Sequence, residues 1–451
     1  MDLIEGRPYW ELTYDKTGTL TSPAEVGFLG EVAAQGITDL FVLSHGWCTG
    51  EETARQLYKS MFPLVARAAA EAPGIGRAGF VGVFWPSLWF PDPPSESAAP
   101  VRAAVLADRP GAANAILSGK EIAQTLMASF ELAKHAALQR MGELIDEGTA
   151  AVGAEPDSKQ QQRLDEFHQL VGTVFATTPQ SGEDSGEEAL LFADQPRAAY
   201  AQISDIVGSG PTDGSAQGLG DVFGKVWNGA KDALRVGSYF EMKGRAGDIG
   251  RRGLGPLLER LHRRTPTVRV HLAGHSFGAR LVSFALTGIS APQASPIASL
   301  CLIQGAFSHY SFTPLRDMPF GTAGALSGFA DRVQGPLAAT FSTHDWAVGR
   351  WYPKASFLAR DDAAASVDPA MRWGGMGAHG FQGAAPVQAL ALLPSGAPYA
   401  LTKGSFYRVD SSATIADINQ SAFAGAHSDI CHREVAWLIA SAAASSPTGG
   451  R

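Results

Sequence analysis

The feature that most restricts the fold of this chain is the motif GHSFG at residues 274–278, set between two segments of different character. Residues 268–273 are a short apolar run typical of a buried strand, and residues 279–284 are compatible with a helix. Glycine-x-serine-x-glycine between a strand and a helix indicates a sharp, strained turn that lifts the serine hydroxyl out of a sheet. The sequence therefore predicts that Ser276 is a nucleophile, the alternative being a serine that only shapes the turn.

Apolar runs like the one before Ser276 recur along the chain. The runs predicted to be strands are 39–45, 79–85, 268–274, 297–305, 337–343 and 405–409. Helical spacing of apolar residues over 53–71 and 278–286 places helices between consecutive strands. Strand, helix and strand in alternation predict an α/β fold with a mostly parallel central sheet flanked by helices.

Between the predicted strands 79–85 and 268–274 lies a long segment whose apolar residues show only helical spacing. One apolar stripe predicts a single helix over 120–147, and a second predicts a helix over 158–175. We interpret residues 87–247 as a large helical cap or lid inserted between an N-terminal part of the core, 1–86, and a C-terminal part, 248–451.

Residues 221–234 within this segment predict an amphipathic helix. Its apolar face consists of Phe223, Val226, Trp227, Ala230 and Leu234. The sequence leaves two interpretations open: peripheral contact of the cap with lipid, or packing against the rest of the protein.

Composition excludes several classes of protein. The net charge of −8 and the scattered distribution of the 36 lysines and arginines argue against a nucleic-acid partner. Cys48, Cys301 and Cys431 are odd in number and form no CxxC pair, which argues against a disulfide framework. With no Sec signal peptide and no apolar run long enough to be a transmembrane segment, we expect a cytoplasmic protein.

A serine nucleophile needs a base, and the base needs an acid that holds its tautomer. Asp345 directly follows the predicted strand 337–343, at the edge of the sheet that also carries Ser276. Asp317 and Asp331 are competing acids, but neither directly follows a strand. We therefore predict Asp345 as the acid, the alternative being a solvated aspartate of the loop.

The predicted base is His427, which lies after the strand-like segment 405–409 and before a helix predicted over 431–444. The order serine, acid, histidine along the chain matches the order expected for this kind of turn. His432 is the nearby alternative, but it is predicted to lie inside that helix, where it is poorly placed to reach Ser276.

The sequence SHGW at residues 44–47 ends the first confident strand and supplies candidate donors for an oxyanion. We predict that the backbone amides of Trp47 and Phe277 form the oxyanion hole. His45, Gly46 and His275 are candidate substrate-binding residues. An ordinary turn at the end of a strand is the alternative for His45 and Gly46.

SHGW, GHSFG, the post-strand Asp345 and the late His427 together resemble the α/β-hydrolase superfamily, across about residues 35–90 and 250–445. More narrowly, SHGW, FWPS at 84–87, YFEMKGRAG at 239–247 and GHSFGARLV resemble poorly characterised microbial members of that superfamily. The resemblance implies an α/β-hydrolase fold and a Ser276–His427–Asp345 catalytic triad. Lipases and esterases with an HGGG loop have a second glycine where Trp47 stands here, which puts the bulky esters accepted by such pockets in doubt.

Within 239–247, Lys243 and Arg245 could bind an anionic group, or could act as a structural clamp between cap and core. The sequence contains no HExxH motif, P-loop or acidic calcium loop, so it implies no metal and no cofactor.

The leading hypothesis is a serine hydrolase that cleaves carboxylic esters, of the carboxylesterase or lipase-like kind, through an acyl-enzyme. The expected substrate is a small-molecule or lipid-like ester. The alternatives are an amidase or peptidase with the same triad, and a non-catalytic binding protein on a hydrolase fold.

Overall fold

A computed structural model describes most of the chain. The described residues are 2–47, 49–87, 118–127, 129–175, 195–208, 222–319, 323–351, 374–384, 386–419 and 425–447. Residues 88–117, 176–194 and 209–221 of the predicted cap thus lie outside the described residues.

The centre of the described structure is one ten-stranded sheet. Its strands are β1 (Asp2–Ile4), β2 (Arg7–Tyr14), β3 (Leu20–Ser22), β4 (Asp39–Ser44), β5 (Ala78–Phe84), β6 (Arg269–His275), β7 (Ile297–Ile303), β8 (Leu337–Phe341), β9 (Val387–Ala391) and β10 (Phe406–Asp410). They lie in the order β1-β2-β5-β4-β6-β7-β8-β10-β9, with β3 paired to β2. Along this spatial order, every neighbouring pair from β2 through to β9 is parallel. Only the short strands β1 and β3 are antiparallel, and both pair with β2. The predicted α/β architecture with a mostly parallel sheet is confirmed at this level.

The six predicted strands are all present, as β4, β5, β6, β7, β8 and β10. The sequence interpretation missed β1, β2, β3 and β9. Strand β2 alternates buried and half-buried residues along much of its length, and β9 is largely exposed. Neither has the continuous apolar run by which buried parallel strands are recognised.

The helices lie between and beside these strands. They are α1 (Glu25–Ala34), α2 (Glu51–Glu71), α3 (Gly119–Met127), α4 (Leu132–Ala150), α5 (Asp157–Phe175), α6 (Pro196–Gly208), α7 (Val222–Ile249), α8 (Gly255–Arg264), α9 (Phe277–Ala285), α10 (Met376–His379) and α11 (Arg433–Ala444). The single helix predicted over 120–147 is wrong, because α3 and α4 are separate. Between them the backbone amides of Ser129 and Phe130 turn back to the carbonyl of Leu126.

Both faces of the sheet are covered, as expected for parallel strands. Along β4, Leu40 and Val42 belong to one apolar cluster, while Phe41 and Leu43 belong to a second. The first cluster includes residues of α1, α8, α9 and the helices α3–α7, and the second includes residues of α2 and α11. This sandwich fixes the carboxyl ends of β4, β6, β7 and β8 next to each other.

The chain leaves the sheet after β5 and returns to it with β6, and the elements described between these two strands are helices.

The apolar face of α7, for which lipid contact was one interpretation, is buried. Its five residues are all at most 6% exposed: Phe223, Val226, Trp227, Ala230 and Leu234. The indole of Trp227 also donates a hydrogen bond to Gln160 at 2.8 Å. Packing within the protein is therefore the correct interpretation of this face. Among the described helices, none is both long enough and apolar enough to cross a membrane.

Candidate active site

Ser276 lies in the turn between β6 and α9, with φ of 56° and ψ of −123°. A positive φ is costly for a residue with a side chain, and the surrounding backbone holds this one in place. The Ser276 amide donates to the carbonyl of Ile303, and its carbonyl accepts from the amides of Ala279 and Ala306. The predicted strand, sharp turn and helix are therefore all present around Ser276.

The two glycines of the motif allow close approach of neighbouring backbone. A Cβ on Gly278 would lie 2.1 Å from the carbonyl oxygen of Ser44, and one on Gly274 would lie 2.3 Å from that of Gly278. Real Cβ atoms do not tolerate such distances, so glycine at both positions follows from packing of the turn against β4 and α9.

Gly46 brings the loop after β4 to the serine side chain. A Cβ on Gly46 would stand 2.7 Å from the Ser276 Cβ and 3.2 Å from its Oγ. Any larger residue would collide with the Ser276 side chain. The loop that was predicted to supply an oxyanion donor therefore lies directly beside the hydroxyl group.

Neither of the two predicted oxyanion donors is engaged by a described residue. Phe277 is the first residue of α9, so its amide has no acceptor within the helix. In the part of the chain that the structure describes, neither this N–H nor that of Trp47 donates a hydrogen bond. The Trp47 indole N–H is also buried there without a hydrogen-bond partner.

His427 and Asp345, which are 82 residues apart in sequence, are joined by a hydrogen bond of 2.9 Å from the imidazole Nδ1 to the carboxylate Oδ2. Asp345 follows β8 and forms an isolated bridge with Gly425, which brings the histidine loop onto the acid loop. The Asp345 Oδ1 accepts from the amide of Val348 at 3.0 Å. With Nδ1 protonated by this contact, the Nε2 of His427 is an acceptor.

The competing residues have other partners. Asp317 and Asp331 form ion pairs with their sequence neighbours at the surface. His432 is the residue just before α11, and its Nε2 bonds the carboxylate of Asp429 at 2.8 Å. None of the three takes part in the Asp345–His427 pair.

His275 packs on the predicted base: its ring centroid is 4.8 Å from that of His427, and its Nε2 donates to the His427 carbonyl at 2.9 Å. Burial lowers the pKa of His275 to about 3, so the ring is neutral. This contact ties the loop of His427 to the turn of Ser276.

His45 stacks on Trp85 with ring centroids 5.4 Å apart. Its Nδ1 donates to the Gly46 carbonyl at 2.9 Å, and its Nε2 accepts from the Trp85 amide at 3.4 Å. Burial lowers the pKa of His45 to about 4. Both ring nitrogens of His45 are thus hydrogen-bonded to backbone groups, one of Gly46 and one of Trp85. These contacts hold the loop that carries Trp47, the predicted oxyanion donor.

Arg245 bridges separate parts of the chain. Its guanidinium donates to the carbonyl of Pro86, after β5, and to that of Ser129, between α3 and α4. It also lies 3.4 Å from Glu241 on the same helix. These are the contacts of the structural clamp, one of the two interpretations left open for Arg245.

Sequence reasoning missed two residues that hold the site, Tyr58 and Gln304. Tyr58 donates to the carbonyl of Val83 and accepts from the amide of His45 at 3.0 Å. Gln304 donates to Asp345, as described below. Neither belongs to a recognised motif. The sequence prediction placed Gln304 inside the strand 297–305, whereas the strand ends at Ile303. The signal that singled out Asp345, a position just after a strand, was therefore missed for Gln304.

In the described residues, no group of three or more histidine, cysteine, aspartate or glutamate side chains is arranged to hold a metal ion.

Comparison with known proteins found nothing similar: no model of a protein family matches the chain, and neither a curated protein nor a solved structure does.

Proposed function

We propose that the protein is a serine hydrolase that cleaves carboxylic esters, with Ser276 as nucleophile, His427 as base and Asp345 as the acid that orients it. The observation that carries the proposal is the hydrogen bond from His427 to Asp345, at the edge of the sheet where Ser276 is held in a strained turn and its neighbour His275 contacts the His427 carbonyl. The α/β fold with a mostly parallel sheet is compatible with an α/β-hydrolase.

The reaction follows from these positions. The Ser276 hydroxyl attacks the ester carbonyl while its proton passes to the His427 Nε2. The amides of Trp47 and Phe277 stabilise the oxyanion. When the tetrahedral intermediate collapses, the bond to the alcohol breaks and His427 returns the proton to the leaving oxygen. Water then hydrolyses the acyl-enzyme by the same sequence of proton transfers.

Aromatic side chains surround the oxyanion loop and favour an apolar acyl or alcohol group. The Trp47 ring lies 5.6 Å from that of Tyr239 on α7 and 6.2 Å from that of Phe277. Tyr239 and Phe277 are themselves 4.8 Å apart. Helix α7 would thus form one wall of the substrate pocket, as expected for a cap.

The test is labelling with a fluorophosphonate, which forms a bond from the Ser276 Oγ to phosphorus and releases fluoride. Intact-mass analysis should show one adduct on the wild type and none on Ser276→Ala. Ser299→Ala is the matched control, because Ser299 is a buried serine of the same sheet outside this site, and it should retain the adduct.

Hydrolysis of p-nitrophenyl esters of increasing acyl length should then favour medium chains over acetate. No adduct on the folded wild type would contradict the proposal and favour a binding protein. An adduct without ester turnover, but with turnover of the matching anilides, would favour an amidase.

A further inference from the structure

Two residues at neighbouring strand ends share an unusual backbone. Among the described residues only Glu5, Ser276 and Gln304 have positive φ without being glycine. Glu5 lies in the turn between β1 and β2. Ser276 and Gln304 directly follow β6 and β7, which are adjacent and parallel. Strain of this kind persists where the surrounding structure holds it, and it concentrates at functional sites.

The side chain of Gln304 is fully buried and all its polar atoms are used. Its Nε2 donates to the Asp345 Oδ2 at 2.9 Å and to the carbonyl of Gly377 at 3.3 Å. Its Oε1 accepts from the Thr340 hydroxyl at 3.0 Å, and the same hydroxyl accepts from the Gln304 amide at 3.1 Å. Because Thr340 occupies the oxygen, the amide has one orientation, with its N–H groups toward the acid.

Gly377 makes room for this arrangement. A Cβ there would lie 2.9 Å from the Asp345 Oδ2 and 2.8 Å from the backbone carbon of Gln304. The oxygen that accepts from His427 is therefore the same oxygen that accepts from Gln304.

We infer that Gln304 is a positioning residue for the hydrolase reaction, which holds the Asp345 carboxylate in line with His427 by a neutral hydrogen bond anchored on Thr340. The inference rests on the proposed function. The amide also draws charge from Oδ2, so it lowers the negative potential that Asp345 exerts on the imidazole.

The test is the rate of fluorophosphonate labelling as a function of pH. Gln304→Met keeps the length of the side chain and removes the donor. We expect labelling about tenfold slower, because a hydrogen bond to a charged group is lost. The acid limb of the pH profile should move up by about half a pH unit, because a less neutralised carboxylate favours the imidazolium.

Gln334→Met is the matched control. Its amide donates to the Ser295 carbonyl at 3.1 Å, and its backbone N–H bonds Ile297 at the opposite end of β7. It should keep the wild-type rate and pH profile. Thr340→Val removes the anchor of Gln304 and should shift both quantities in the same direction as Gln304→Met, about threefold in rate. It carries the test if Gln304→Met does not fold.

Failure of this inference and failure of the proposed function are distinguishable. A wild-type protein without an adduct contradicts the function itself. A labelled wild type with Gln304→Met at the same rate and pH profile overturns the role of Gln304 alone. Slower labelling with an unchanged pH profile overturns it as well, since that is the result of a purely structural defect.

Discussion

The sheet carries a serine, a histidine and an aspartate at both of its ends. At the carboxyl end stand Ser276, His427 and Asp345. Nearer the amino ends of the strands, the Ser299 hydroxyl lies 3.0 Å from the His271 Nδ1, and the His271 Nε2 lies 3.1 Å from the Asp39 Oδ1. The second group, which we call the amino-end cluster, has the connectivity of a triad without its surroundings.

The two Ser–His–Asp groups differ in their solvent exposure and in whether free backbone amides lie next to the serine. All three members of the amino-end cluster are at most 1% exposed, whereas His427 is 9% exposed and Ser276 is 6% exposed. Ser299 lies inside β7, in register with His271, with no sharp turn to lift its hydroxyl out of the sheet. The amino-end cluster therefore lacks features on which the proposed mechanism depends. The strained turn and the free oxyanion amides distinguish the candidate active site.

The two aspartates also differ in their partners. Asp39 accepts from the Thr38 hydroxyl and the Gly76 amide and forms an ion pair with Arg269. Burial alone would raise the pKa of Asp39, but the hydrogen bonds from His271, Thr38 and Gly76 hold it below its ordinary value. Among the described residues, the Asp345 carboxylate accepts hydrogen bonds from His427, Gln304 and Val348 and has no cation beside it. Asp39 of the amino-end cluster is thus paired with a buried cation, Arg269, which suits a structural role.

The largest expected effect is on activity at the carboxyl end. Asp345→Asn should slow ester hydrolysis by about 10³- to 10⁴-fold, because the amide no longer holds the imidazole in the reactive tautomer. The unfolding midpoint should change little by comparison. Asp331→Asn, at an exposed acid that pairs with Arg332 outside this site, is the control and should keep the full rate. Full hydrolysis by Asp345→Asn would mean that the acid is assigned wrongly.

The second effect is on stability at the amino end. Asp39→Asn leaves the Arg269 charge buried without its counter-ion, so the free energy of unfolding should fall by about 3–5 kcal/mol. Urea unfolding measures this loss, with Asp317→Asn as a surface control. Labelling of the folded fraction should keep the wild-type rate. Lost labelling at unchanged stability would contradict the division of roles between the two ends.

The smallest effect is on pH dependence and involves both ends. Burial lowers the pKa of His271, as it does those of His45 and His275. The unfolded chain therefore binds protons near pH 6.5 that the folded protein does not, so stability is present above that pH and is lost as the pH falls.

Between pH 7 and pH 5, we expect the free energy of unfolding to fall by about 1–2 kcal/mol for each of His45 and His275, and His271 contributes a fall in the same direction. Urea titrations at the two pH values should show a smaller difference for His271→Gln than for the wild type. An equal or larger difference in the variant would mean that His271 is charged in the folded protein.

The local elements were readable from the sequence because their causes are local. Continuous apolar runs identified the six buried strands, and small residues around Ser276 identified the turn. Asp345 and His427 were singled out because each follows a predicted strand, and the structure joins them by a hydrogen bond. Strands β1–β3 and β9 were missed because none of them is a continuous buried apolar run: β1, β3 and β9 are largely exposed, and β2 carries half-buried polar residues between its buried ones.

Pairings between distant side chains were decided by the tertiary structure alone. Nothing in the sequence tells that Gln304 bonds Asp345, that His275 bonds the carbonyl of His427, or that His271 joins Asp39 and Ser299. Each of these contacts depends on the order and register of the strands. The sequence by itself determined which residue types could do the chemistry and which strand ends they follow. The packing of the sheet decided which of two similar Ser–His–Asp groups lies beside a strained turn with unused amides, because burial and hydrogen-bond partners exist only once the strands are side by side.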